Sequence, residues 1–561
     1  MRSNVNINIQ HVEGFLEGNL TMKVHEAIAQ ALFDNGVRTL FGLIGDGNLF
    51  LVDSFTRLGQ CQYVAAAHES GAVLMALGFA QVADEIGVAT VTHGPALVNT
   101  LTALTEGVKA RVPLVLVCGD TAVEARDHLQ KIPQRELVVA TGAGFEILRS
   151  AKTLTIDVAN AFRRALVERR PIVLNVPIEI QWQDISYTPN PFRRFDTRAF
   201  VMSGADVDNG VGIIAGAKRP VIIAGRGATS PAAKSAILRL ARRIGAPLAT
   251  TLKAKNLFKN EPGDLGIFGT LAAPVAFEII AESDCIIAFG ASLNLYTTAQ
   301  QSLVKGKRLV QINQEPEEIG KFITPDAGIV GDAAEVAQFI MRLLDEAEIS
   351  TSDFCDQDMI RRIGTHAKSD WVDQSTTQTI DIVKALAHFE ISVPKDRVFV
   401  TDGGRFVGAA WNAFSVESPR SFLLTVNFGS IGLGMSEAIG ASFAKKGSPT
   451  LLVTGDGGFM NGGLVEFNTA VRARADLIVL LCNDSSYGAE HIQFTSRSLN
   501  PEISMFAWPE FADVAIALGG SGVTVRTEQD LKLADHAIRN RDRPLLIDIK
   551  LDAYRVPVTP H

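Results

Sequence analysis

The chain is poor in cysteine: Cys61, Cys118, Cys285, Cys355 and Cys482 are all it has in 561 residues. None lies near another in sequence, and no disulfide framework or zinc spacing is visible. Cys118, Cys285 and Cys482 fall in or at the end of apolar runs and read as core thiols. A reducing compartment suits that usage. Charge of one sign is also scarce. The formal net charge of -8 is too mild to mark a nucleic-acid partner or an anionic membrane surface. The basic pairs Arg193-Arg194, Arg242-Arg243 and Arg361-Arg362 are short and scattered, and read as solvated faces. No run of about eighteen uncharged apolar residues occurs, so no membrane span is expected. Residues 1–20 are polar and have no positive start feeding an apolar stretch, so no secretory leader is expected. The reading is a soluble, cytoplasmic protein with no nucleic-acid or membrane partner.

What the chain has is apolar sequence in short blocks. It is 47% hydrophobic and 20% charged, ordinary for a large protein with several cores. At roughly 100–200 residues per domain its length suggests about three domains. Runs rich in Val, Ile and Leu end in Gly, Asp or Asn at residues 113–120, 171–177, 220–225, 285–290, 309–313, 398–403, 451–455, 477–483 and 544–548. Continuous runs of this kind, rather than alternating ones, mark strands covered on both faces. Amphipathic helical stretches fall between them. Residues 23–35 place Val24, Ala27, Ile28, Ala31 and Leu32 on one face, with Gly36 as the stop. The fold class is α/β, with three doubly wound parallel-sheet domains. Residues 182–206 and 345–374 are polar and aperiodic and read as linkers. They leave an N-terminal extension, 1–20, and domains at 21–185, 205–345 and 375–561.

The residues that carry chemistry concentrate at strand ends, where ligands sit in parallel sheets. The run at 451–454 leads into Gly455-Asp456-Gly457-Gly458. The run at 477–481 ends in Asn483-Asp484-Ser485-Ser486-Tyr487-Gly488. Asp456 and Asp484 offer hard carboxylates that could share one magnesium ion with phosphate oxygens. The glycines let backbone N–H groups approach a diphosphate. Alone, Gly-Asp-Gly is a turn after a buried strand; the second strand end changes that reading.

The segment resembles the thiamine-diphosphate (ThDP) binding motif, Gly-Asp-Gly followed by Asn-Asn. The filler, residues 458–482, has the family's length, with Asn483-Asp484 in place of Asn-Asn. The resemblance implies Asp456, Asp484 and the main-chain oxygen of Ser486 as Mg²⁺ ligands. It also implies Gly455, Gly457, Gly458, Tyr487 and Gly488 as cofactor neighbours. Ala67-His68-Glu69-Ser70-Gly71-Ala72 is similar to the family segment whose glutamate bonds the pyrimidine ring nitrogen and tunes the cofactor. By itself Glu69 would be a helix-start carboxylate facing the dipole. Asn427 to Gly434 resembles the segment whose apolar side chain props the cofactor into a V shape. Ile431 takes that position and Gly429 lies in its loop; a Gly-rich helix start is the plainer alternative. Asp402-Gly403-Gly404-Arg405-Phe406 matches the first diphosphate loop, with Gly404 and Arg405 as contacts.

The resemblance runs over residues 21–555 and is nearest to the acetolactate synthase and benzoylformate decarboxylase branch. It implies pyrimidine-binding, central and diphosphate-binding domains in that order. It also implies a homodimer or homotetramer, because Glu69 of one subunit would serve the cofactor held by the other. FAD-binding synthases have a similar central domain, but Ala291-Ser292-Leu293-Asn294 replaces their Arg-Phe-Asp-Asp text. ThDP and Mg²⁺ are therefore expected, and FAD is less favoured.

The expected substrates are small 2-oxo acids or diketones, and the residues beside the cofactor decide the product. Ile44-Gly45-Asp46-Gly47-Asn48-Leu49 is similar to the pyruvate decarboxylase segment with an aspartate at Asp46. A proton relay there favours aldehyde release, although the sequence is also a natural turn. The paired histidines of those enzymes are missing. Asp127-His128-Leu129-Gln130 stands near their place, and Gln130 falls close to the active-site glutamine of acetolactate synthase. His93, in Thr92-His93-Gly94-Pro95, either narrows the pocket or serves as an acid/base. The leading expectation is an acetolactate-synthase-like carboligase. A 2-oxo acid decarboxylase releasing an aldehyde is the alternative. A cofactor-binding but inactive or regulatory subunit is the rival from another class, and the intact Glu69 argues against it.

Overall fold

The computed structural model describes residues 20–194, 202–365 and 371–556. Residues 1–19 of the N-terminal extension therefore lie outside the described residues. By compactness the chain forms two units, the first running to Arg193 apart from Gln81–Ala83, and the second made of those three residues and the chain from Arg194 onward.

The first unit holds a six-stranded parallel sheet. Its strands are β2 (Thr39–Gly42), β3 (Gln62–Ala65), β4 (Gly87–Val91), β5 (Leu114–Asp120), β6 (Gly144–Ile147) and β7 (Pro171–Pro177), in the order β3-β2-β4-β5-β7-β6. β5 and β7 are the long apolar runs of the sequence, buried almost throughout. A two-stranded antiparallel ribbon, β1 (Leu20–Lys23) with β8 (Asp184–Tyr187), stands beside this sheet. β8 falls in the stretch 182–206 that the sequence reads as linker, so that linker begins later than expected. Four residues paired to a single neighbour have too little apolar content to show as a run. The first helix is Val24–Asp34, and it buries the five residues expected on its inner face. Gly36, at φ +90°, ends it.

The second unit holds two six-stranded parallel sheets flanked by helices. One contains β9 (Pro220–Ala224), β10 (Leu248–Thr250), β11 (Asp264–Ile267), β12 (Cys285–Phe289), β13 (Arg308–Asn313) and β14 (Ala327–Val330), ordered β11-β10-β9-β12-β13-β14. The other contains β15 (Val398–Thr401), β16 (Phe422–Leu424), β17 (Thr450–Gly455), β18 (Leu477–Asn483), β19 (Ser521–Val525) and β20 (Leu545–Lys550), ordered β16-β15-β17-β18-β20-β19. The chain thus carries three α/β domains with parallel sheets. The stretch 345–374, also read as linker, contains the helix Gln357–Thr365. A short segment after β10 ties the two sheets together. Lys255 Nζ donates to the Trp411 carbonyl at 2.6 Å, Val416 N–H donates to Asn256 Oδ1 at 3.0 Å, and Lys253 bonds Asn427. Burial pulls the Lys255 ammonium down to about 8.

In the last sheet the strand order reverses between β15 and β17. Such a switch point opens a crevice at the carboxyl ends of the strands. The register Thr401↔Val453 and Gly455↔Cys482 brings the tips of β15, β17 and β18 to one end.

Candidate functional site

Three tips of the last sheet converge on two carboxylates. Asp456 follows β17 directly and is 3% exposed. Its Oδ1 accepts the Gly457 N–H at 2.9 Å and its Oδ2 accepts the Trp508 indole N–H at 3.0 Å. Burial, then the charge of Asp484, pushes its carboxyl up to about 7. Asp484 follows β18. Its Oδ1 accepts from Ser486 N–H at 3.0 Å and Ser486 Oγ at 2.7 Å, and its Oδ2 pairs with Arg405 from the tip of β15. Arg405 also donates from Nη1 to the Ala553 carbonyl at 2.7 Å. The sequence reading has Arg405 as a diphosphate contact; its guanidinium is turned to Asp484 and the chain after β20.

The glycines are needed for space. A Cβ on Gly457 would lie 2.6 Å from the Tyr487 ring. A Cβ on Gly458 would lie 3.0 Å from Asp402 Oδ2, and one on Gly455 3.1 Å from the Phe406 ring. Gly404, at φ +151°, would place a Cβ 2.5 Å from Phe406. Backbone can therefore approach a ligand here where side chains cannot. Ile431 lies over β15's tip, its Cγ2 3.3 Å from where a Gly403 Cβ would stand, and Gly429 turns its loop at φ +86°.

Sequence reasoning missed two residues that organise this end. Asp402 is fully buried and accepts from Gly403 N–H at 2.7 Å, Gly432 N–H at 3.0 Å and Thr454 Oγ at 3.1 Å. It joins the β15 tip, the Ile431 loop and β17; burial pushes its carboxyl up to about 6. Its position at a strand end was the only signal. Trp508 is 52 residues from Asp456, and nothing local marks it. Ser485, at φ +57°, turns the chain so that Tyr487 N–H donates to the Ser504 carbonyl and Phe506 N–H to the Ser485 carbonyl, each at 2.9 Å. That clamp delivers Trp508, stacked on Phe506 with ring centroids 4.8 Å apart, to Asp456.

The two carboxylates are donors of the kind a hard divalent ion takes. Among the described residues no group of three or more His, Cys, Asp or Glu converges as a metal cage. A metal would thus have to share its shell with phosphate or water.

In the first unit the strand ends gather the other expected residues. Glu69 opens the helix Glu69–Ala83, which His68 caps by accepting the Ser70 N–H at 3.1 Å. Glu69 is half-buried, and its Oε2 accepts from Asn99 Nδ2 at 2.9 Å. Asn99 ends the helix Pro95–Val98 and is another residue the sequence did not single out. Just upstream, Thr92 Oγ donates to Asp46 Oδ1 at 2.8 Å and lies 3.2 Å from His93 Nδ1. Burial works against the Asp46 charge, but the Thr92 hydroxyl and then His93 hold the carboxyl below its usual range. His93 is 1% exposed, and its ring meets that of His128 edge-on at 5.4 Å. The Gln130 carbonyl lies against Gly94, where a Cβ would stand 2.4 Å from it. Asp46 and Gln130 thus lie against the segment 92–99, which carries His93 and whose far end holds Glu69. Gln134 anchors the loop by accepting the Gly94 N–H at 2.8 Å.

The middle sheet has the order associated with dinucleotide binding. At its switch point Gly225 N–H donates to the Phe289 carbonyl at 2.8 Å and Gly227 N–H to the Gly290 carbonyl at 3.1 Å. Among the described residues no helix is long and apolar enough to cross a membrane.

Three parallel sheets flanked by helices, with carboxylates at glycine-rich strand tips, define a protein of the α/β class. Comparison with known proteins makes this specific. Models of the thiamine pyrophosphate enzyme match the N-terminal TPP binding domain at residues 22–141, the central domain at 207–340 and the C-terminal TPP binding domain at 402–549. The chain belongs to the thiamine-pyrophosphate enzyme family, in its acetolactate-synthase-like branch. It is 27% identical to a probable acetolactate synthase large subunit of Methanocaldococcus jannaschii, over 96% of this chain and 94% of that one. It is 26% identical to a sulfoacetaldehyde acetyltransferase of Castellaniella defragrans, over 95% and 94%. It is also 26% identical to a probable 2-ketoarginine decarboxylase of Pseudomonas aeruginosa, over 92% of each.

Proposed function

We propose that this enzyme uses ThDP and Mg²⁺ to break and make carbon–carbon bonds beside the carbonyl of small 2-oxo acids or diketones, most simply as an acetolactate-synthase-like carboligase. The observation that carries the reading is the pairing of Asp456 and Asp484 at adjacent strand tips, with glycine backbone around them. In this reading Asp456, Asp484 and the Ser486 carbonyl hold Mg²⁺. Gly404, Gly429, Gly455, Gly457, Gly458, Tyr487 and Gly488 line the diphosphate, and Ile431 props the cofactor. Glu69 reaches the pyrimidine of a cofactor held by a partner subunit, in a cytoplasmic homodimer or homotetramer. When bound, ThDP supplies a carbon nucleophile and an electron sink. The protein holds its ring nitrogen, orients the substrate and decides where a proton goes. The domains run over 21–185, 205–345 and 375–561. FAD is the less favoured cofactor in this reading, because Ala291-Ser292-Leu293-Asn294 stands where FAD-binding synthases carry Arg-Phe-Asp-Asp.

A decarboxylase reading stands beside it, favoured by one arrangement. Asp46, Thr92 and His93 form a hydroxyl-bridged chain with His128 alongside. Such a chain can deliver a proton and release an aldehyde. Gln130 beside it instead suits room for a second carbonyl. Product NMR after incubation with pyruvate, ThDP and Mg²⁺, with and without an acceptor aldehyde, separates the two. A ligated hydroxyketone or acetohydroxy acid supports the carboligase, and free aldehyde alone supports the decarboxylase. No turnover across a panel of 2-oxo acids, 1,2-diketones and 2-hydroxyketones overturns both.

The Trp508 contact gives a separate expectation. Trp508→Phe keeps an aromatic ring on Phe506 but removes the indole N–H that orients Asp456. Outer partners of metal ligands are worth roughly 10–100-fold in affinity. Mg²⁺ affinity in the presence of ThDP is expected to fall by about tenfold, read by calorimetry, with the circular dichroism unchanged. Unaltered affinity would show that the bond does not orient the ligand.

A further inference from the structure

The second strand tip carries an aspartate, and Arg405 sits on it. Asp484 and Arg405 come from the tips of β18 and β15, which flank β17. Both side chains are nearly closed off, at 10% and 5% exposed. The Arg405 Nη2 group meets Asp484 Oδ2, while Nη1 donates to the Ala553 carbonyl at 2.7 Å. Gly488 lets them pack: a Cβ there would lie 3.0 Å from Arg405 Nε and 3.2 Å from Asp484 Oδ2. The other Asp484 oxygen accepts both the N–H and the hydroxyl of Ser486. The carboxylate is therefore held by donors on both oxygens.

Two carboxylates in so buried a place repel, and a cation beside one of them removes that cost. With both carboxylates ionised, as they would be against a divalent cation, and Arg405 at +1, the tips carry a net -1. An amide in the place of Asp484, with no arginine, would give the same sum. We infer that Arg405 is the built-in counter-charge of Asp484, and that the two work only as a pair in presenting the tips to a divalent cation and a diphosphate. This rests on reading the tips as the Mg²⁺ and ThDP site. Arg405 is then a positioning residue that acts through Asp484, rather than a direct diphosphate contact.

The test compares the full-length protein with Asp484→Asn, Arg405→Gln, the double variant and Arg405→Lys. Mg²⁺ is titrated by calorimetry with and without ThDP, and melting of the metal-free protein is followed alongside. Asp484→Asn leaves a buried cation beside the metal position, and Mg²⁺ affinity with ThDP should fall about tenfold or more. Arg405→Gln leaves two carboxylates uncompensated. Mg²⁺ alone should then bind more tightly, while ThDP, an anion, binds about tenfold more weakly. The double variant should return both affinities to within about threefold of the parent, and melt above either single variant. Arg405→Lys keeps the charge but not both directed bonds, so its affinities should fall between those of the parent and of Arg405→Gln, and a lysine variant no better than Arg405→Gln would overturn the counter-charge role. If Arg405→Gln does not fold and the double variant does, the pairing is supported by stability alone. Losses that add in the double variant, or a double variant that folds no better than the singles, overturn the inference. If the parent itself shows no Mg²⁺-dependent ThDP binding, the site reading fails first, a result distinct from additive losses on a parent that binds.

Discussion

Glu69→Gln should leave a folded protein that binds ThDP and turns over very little. The substitution keeps the length of the side chain and an oxygen to accept the Asn99 Nδ2 bond at 2.9 Å. The helix start is capped by His68 rather than by Glu69, so the local fold does not need the carboxylate. What the amide cannot do is exchange a proton with the pyrimidine ring nitrogen that Glu69 is proposed to hold. Positioned acid–base groups contribute about 10²–10⁴-fold, and kcat should fall by an amount in that range. Affinity for ThDP, which the other domain's strand tips would govern, should change by less than about tenfold. Steady-state kinetics with a 2-oxo acid, with calorimetry for the cofactor, checks both halves. Equal turnover by the variant would remove Glu69 from the mechanism and with it the proposed reach across a subunit boundary.

Asp456→Ala should abolish Mg²⁺-dependent ThDP binding without harming the metal-free protein. The parent carboxyl is buried, and burial together with the Asp484 charge pushes it up to about 7. Removing a buried group that is costly to ionise relieves repulsion. The metal-free variant should therefore melt no lower than the parent, apart from the lost Trp508 bond, worth about 1 kcal/mol. With saturating ThDP and Mg²⁺ the parent should melt higher, because a ligand at 100 times its Kd stabilises by about 2.7 kcal/mol. The variant should show no such rise, and its calorimetric affinity should fall by more than about 100-fold, beyond what outer partners contribute. Undiminished ThDP affinity would place the metal elsewhere.

The candidate residues of the two units were legible in the sequence to different depths. The β17 and β18 tips were readable because both strands are continuous apolar runs, and each ends abruptly in the polar residues that matter. The same held for β15 and Gly404. The ribbon formed by β1 and β8 was not readable. Neither were the short edge strands, whose few apolar residues match loops as well as strands. Asp46, His93 and Gln130 were singled out one by one, but their meeting around residues 92–99 was not visible, because the loops that bring them together are set by tertiary packing.

The sequence alone determined the α/β class and which two carboxylates stand at the strand tips. These depend on local signals: covered strands, breaking glycines, and polar residues at fixed offsets along one chain. Only the tertiary structure decided that Arg405 turns to Asp484, that Trp508 holds Asp456, that Asp402 ties three loops together and that Asn99 holds Glu69. Each of these is a hydrogen bond between residues far apart in the chain. Burial makes such a bond worth forming, and burial is known only once the strands have been placed side by side.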